Sequence, residues 1–142
     1  MIRRLAILPV FALAVAAPAM AEGLKLKPGL WEMTYQYQAA MFGQAKDETE
    51  VNCVTPDKAE LDPQKLLDDS IPCKPANLKT EGGVMTFDVV CEGLGEGTGG
   101  KARFETDGDA GSGKIDMIMK MGDMAIPMNA SMTAKRLGAC ES

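Results

Sequence analysis

Six of the eleven methionines stand at positions 117, 119, 121, 124, 128 and 132, and thioethers there could do two kinds of chemistry. They are soft donors that favour Cu(I) over hard cations, and they are flexible apolar groups that fit irregular surfaces. Ile115, Met117, Met119 and Met121 occupy alternate positions, as do Met124, Ile126, Met128, Ala130, Met132 and Ala134. In two extended strands joined at Gly122-Asp123 each set shares one face, so one hairpin would present a thioether-rich patch. Core filling is the first use for such a patch, because methionine packs into irregular gaps. A face that receives a lipid, a small apolar molecule or an unfolded protein segment is the second. A Cu(I) site is the third, weakened because the chain has no His to join the sulfurs. Met117, Met119, Met121, Met124, Met128 and Met132 are the candidate apolar-ligand face.

The other reactive residue types are arranged for structure rather than turnover. Without His the usual general base and the usual metal ligand are both missing. Cys53, Cys73, Cys91 and Cys140 form an even set, which in an exported chain reads as two disulfides. They contain no C-x-x-C pair, so zinc is disfavoured, and oxidised sulfur supplies no thiolate nucleophile. None of the 20 acidic residues is singled out by spacing as half of a catalytic pair. Gly95 to Gly100 matches G-x-G-x-x-G, but a strand is expected after it where dinucleotide binding needs a helix N-terminus. Asp107-Gly108-Asp109 opens like a calcium loop, yet the fifth and twelfth positions hold Gly111 and Ile118, which offer no carboxylate. The expectation is a protein with no catalytic residues, no cofactor and no resident metal.

The N-terminus supplies the compartment. Arg3 and Arg4 precede an uncharged run from Leu5 to Ala17, and Ala19-Met20-Ala21 gives the small-x-small pattern of a signal peptidase site. The run is too short for a permanent span, which needs about 20 apolar residues. Residues 1–21 are expected to be a cleavable signal peptide, and residues 22–142 one domain exported to the periplasm, not integral to a membrane. Losing Arg3 and Arg4 lowers the basic count from 15 to 13 against 20 acidic residues, a net charge of −7. Such a chain is repelled by nucleic acid.

The elements that would position these residues are strands. Trp31, Met33, Tyr35 and Tyr37 alternate with polar residues, and Glu50 to Val54 reads as the return strand. Thr55-Pro56-Asp57 is a helix start with a capping hydroxyl. Asp62-Pro63 repeats the signal, so two short helical pieces are expected, with Leu61, Leu66 and Leu67 inward. Further strands are expected over 76–80, 84–91, 101–106, 114–121 and 124–137, with a flexible connection over 93–100. The fold class is mainly β: about seven antiparallel strands in one curved sheet or partly closed barrel, with a short helical insertion and two disulfides.

Three segments in order carry a likeness. Pro28-Gly29-Leu30-Trp31-Glu32, Cys53-Val54-Thr55-Pro56 and Lys135-Arg136-Leu137-Gly138-Ala139-Cys140 together resemble the small exported bacterial proteins of domain-of-unknown-function family 3617. The resemblance implies a Gram-negative periplasmic protein of β-rich fold. It implies no activity and no functional residues.

Strand counting bears on the four cysteines, which allow three pairings. Cys73 opens one hairpin arm and Cys91 closes the other, so both lie at one end of the sheet. Three strands later Cys140 emerges at the far end. The expected bridges are Cys73–Cys91 and Cys53–Cys140, which needs residues 55–72 to carry the chain across the sheet. One detail opposes this pairing: aligning Leu78 with Met85 leaves Cys73 and Cys91 a residue out of step, unless Pro75 interrupts the strand.

Overall fold

The computed structural model describes residues 23–39, 43, 46–67 and 70–141. The expected signal peptide lies outside the described residues. Nine strands are present among them: β1 (Leu24–Lys25), β2 (Gly29–Ala39), β3 (Lys46–Val54), β4 (Glu60–Leu61), β5 (Cys73–Glu81), β6 (Val84–Cys91), β7 (Gly99–Thr106), β8 (Ala110–Met121) and β9 (Met124–Gly138). Seven form one antiparallel sheet in the order β3-β2-β9-β8-β7-β6-β5, while β1 and β4 pair separately. The sheet is a meander from β5 to β9, with the first hairpin added beside the last strand. It stays open, with β3 and β5 as its edges.

That topology forces a crossover. The chain leaves β3 at one edge and must re-enter at β5 on the other, and residues 55–72 make the passage. They contain a 3-10 turn over Pro56–Lys58 and a short helix α1 over Pro63–Leu66, the two helical pieces that the paired prolines announce. Asp62 caps α1 by accepting from the Gln64 N–H at 2.9 Å. Thr55 behaves differently from expectation: its side chain makes no capping hydrogen bond to the turn. Leu67 from this passage and Leu24 from β1 join Met85, Phe87, Val89, Ala102 and Phe104 in the core, with Leu61 and Leu66 packed against it. The strap therefore covers one face, here the inner face, over β5 to β7.

Register explains the disulfides. Both expected bridges are present, Cys73–Cys91 and Cys53–Cys140. Cys73 lies directly opposite Cys91 even though Thr80 faces Met85. The extra step is absorbed not at Pro75 but at Asn77, where the pairing shifts and φ is +53°. This is a β-bulge, and the Asn77 amide fixes it by donating to Asp88 Oδ2 at 2.8 Å. Leu78 thus packs with the core while both cysteines remain in step. The tight Gly82-Gly83 turn beyond it uses φ values of +58° and +76°, the pair that a two-residue hairpin with the right twist requires.

Residues 93–100 are less free than their glycines suggest. Thr98 is buried, its hydroxyl donating to the Leu94 carbonyl at 3.0 Å and accepting from the Lys120 N–H at 2.9 Å. Gly99 and Gly100 already belong to β7. No helix follows, so the G-x-G-x-x-G match is a connection into a strand. The acidic turn at Asp107 is equally local: its Oδ1 accepts from the N–H groups of Asp109 and Ala110 at 3.0 and 2.9 Å. Those bonds hold the Asp107 carboxyl below the usual range.

Candidate functional site

The inner face continues beyond the strap onto β8, β9 and β2, and here the methionines meet. Met117 lies opposite Met128, Met119 opposite Ile126, and Met121 opposite Met124 across the closing turn of the β8–β9 hairpin. Met132 faces Gly113 on β8 and Tyr35 on β2. Side chains at such positions stand on the same side of the sheet, with Cβ atoms about 5 Å apart. All six candidate methionines therefore share one face, as their alternation predicts.

Their burial is graded. Met117 and Met132 are half-buried and pack against the core. Met119 and Met128 are half-buried, whereas Met121 and Met124 are 56% and 61% exposed. None of the six is fully buried, in contrast to Met85 under the strap at 0%. The strap covers β5 to β7; beyond it Ile126 is still buried at 6%, and exposure rises only toward the β8–β9 turn.

Pairing of β2 with β9 adds residues that no local pattern could reveal. Met33, Tyr35 and Tyr37 face Ala134, Met132 and Ala130, so the alternating residues of β2 extend the thioether patch sideways. Sequence periodicity marks both strands as one-sided, but only the pairing of the second strand with the last puts them side by side. Tyr35 and Tyr37 stack with centroids 6.4 Å apart and planes 13° from parallel. Tyr35 Oη donates to Met33 Sδ at 3.3 Å, and Tyr37 is 53% exposed. Further out, the inner face of β3 presents Lys46, Glu48, Glu50 and Asn52 opposite Tyr37, Tyr35, Met33 and Trp31. Burial pushes the Tyr35 phenol up from its ordinary pKa, and the Glu50 carboxylate adds to the shift.

The opposite face carries a matched polar row, although Val51, Val90 and Ile118 also stand exposed on it. Asp88, Lys101, Asp116 and Asn129 stand in register across β6 to β9, and Lys101 reaches Asp88 at 3.1 Å. Asn77 and Lys101 together hold the Asp88 carboxyl below its usual range. Arg103 pairs with Glu105, and Lys114 with Asp116, both at 3.2 Å.

Among the described residues, no group of three or more His, Cys, Asp or Glu is placed to hold a metal ion, and no helix is long and apolar enough to cross a membrane. The cysteines are joined in two disulfides, which fits an exported protein. No curated protein and no solved structure matches the chain. The model of the family described as "Protein of unknown function (DUF3617)" matches residues 26–140, and the chain belongs to that family.

Proposed function

We propose that this is a periplasmic, non-enzymatic binding protein that receives an apolar ligand on the open part of its inner face. One observation carries the reading: beyond the strap the same face carries half-buried methionines on β8 and β9 around the buried Ile126, and it ends in the exposed Met121, Met124 and Tyr37. Methionine suits that role, since its flexible, polarisable side chain moulds to partners of different shape. Large apolar side chains left exposed at the end of an otherwise packed apolar face suit such a use. The signal-peptide pattern and the two disulfides support export.

A second reading has its own support. Met117 and Met132 pack against the core, as they would in an envelope structural protein whose methionines only fill space. Native mass spectrometry of protein isolated from the periplasm separates the two. A retained apolar mass supports the binding module, and bare polypeptide supports the structural protein. Retained copper would instead favour thioether coordination, and a mass that includes residues 1–21 would overturn the export reading.

A further inference from the structure

The open face is not electrically uniform. Its apolar strip runs along β9 from Met132, opposite Tyr35, to Met124 at the far turn. Eight residue-to-residue steps at about 3.4 Å each make it roughly 27 Å long, the shape of one extended chain. At the Tyr35 end the strip meets carboxylates. Glu48 is directly opposite Tyr35, and Glu50 is the next inner-face residue on the same strand. Both are exposed, and Glu50 also accepts from the Asn52 amide at 3.2 Å. Between the acids and the thioethers stand the stacked rings of Tyr35 and Tyr37.

Resting on the binding-module reading, we infer that the ligand is a single-chain amphiphile with a cationic head, its tail along the β9 methionines and its head at Tyr35 between Glu48 and Glu50. Three features converge on that head. A cation within about 6 Å of a tyrosine ring is attracted by the ring's negative face. Two carboxylates on the solvent side complete the counter-charge, and the Glu50 field already acts on the Tyr35 phenol. Lys46 lies opposite Tyr37 and disfavours a cation there, which centres the head on Tyr35. β3 is an edge strand, so the head can arrive from the side without opening the sheet. An anionic head would meet Glu48 and Glu50, and a neutral one would forgo both attractions.

The test uses dodecyltrimethylammonium and dodecyl maltoside, both below their micelle concentrations, titrated calorimetrically into the mature protein and into the Glu48→Gln/Glu50→Gln variant. Both substituted positions are exposed, so the variant keeps the fold. The inference expects the ammonium probe to bind wild type at least tenfold tighter than the maltoside, and the variant to bring the two within about twofold. Equal affinities in wild type would overturn the cationic head while leaving the apolar face standing. A preference that survives in the variant would assign it to net charge and overturn the Tyr35 site. Binding of neither probe would overturn the apolar face together with the inference.

Discussion

Cutting the Cys53–Cys140 bridge should cost several kilocalories without disturbing the native sheet. The two cysteines are separated by 87 residues, and Cys53 is exposed, so alanine at both positions removes little native packing. β9 remains paired to β2 and β8 along its length. What changes is the unfolded chain, which regains the entropy of an open loop. Loop-closure entropy for that separation corresponds to about 4.6 kcal/mol at 25 °C. A domain of this size has a total stability of about 5–15 kcal/mol, so the variant should still fold. The assay is urea unfolding followed by Trp31 fluorescence and far-UV circular dichroism. The midpoint should fall, and the denaturant slope should rise because the unfolded state expands. The Cys73–Cys91 bridge closes only 18 residues, worth about 3.2 kcal/mol on the same basis. Both of its cysteines are buried in the core, so its alanine variant should lose native packing as well, with a smaller change in slope. A loss below about 1 kcal/mol for the Cys53→Ala/Cys140→Ala variant would refute the reasoning, because it would mean that the bridge does not restrain the unfolded chain.

Other expectations come from packing and charge. Gly113→Ala would drive a Cβ into the Phe104 ring at Cδ1, and such overpacking should cost about 1–3 kcal/mol in a thermal melt. Fully buried methionines lose roughly 2–5 kcal/mol on truncation; Met119→Ala and Met128→Ala, at half-buried sites, should lose about half of that, and the exposed Met124→Ala almost nothing. Stability should fall in acid through Asp107 and Asp88, whose folded pKa values are depressed by the hydrogen bonds they accept. That contribution is complete above the unfolded carboxyl value of about 3.9 and vanishes as pH drops through the lower folded value. Urea midpoints measured against pH should therefore decline less steeply below that point in Asp107→Ala than in wild type.

Period-two patterns made most of the sheet legible. The Met hairpin, the inward Leu61, Leu66 and Leu67, and both disulfides follow from alternation and strand counting. The strap's route follows too, because the Cys53–Cys140 bridge demands a crossover. Long-range pairing was not legible. Nothing near Tyr35 indicates that its neighbour is Met132, almost a hundred positions away, so the tyrosines and the β3 acids could not be joined to the methionines in advance. The bulge at Asn77 escaped for a different reason: Pro75 is the conspicuous strand breaker nearby, whereas an asparagine in the left-handed region is silent in sequence. The β1–β4 pair was missed because two residues per strand show no period. How much of the apolar face the strap covers depends on where residues 55–72 settle, which no local pattern encodes.

The proposed function stands on the methionine face of β8 and β9 receiving apolar molecules. Methyl-13C methionine spectra of the mature protein, titrated with dodecyl maltoside below its micelle concentration, test it directly. The methyl signals of Met117, Met119, Met121, Met124, Met128 and Met132 should shift together along one saturating curve, while Met85, fully buried under the strap, stays still. Silence of all six, or a shift of Met85 in step with them, would contradict the account.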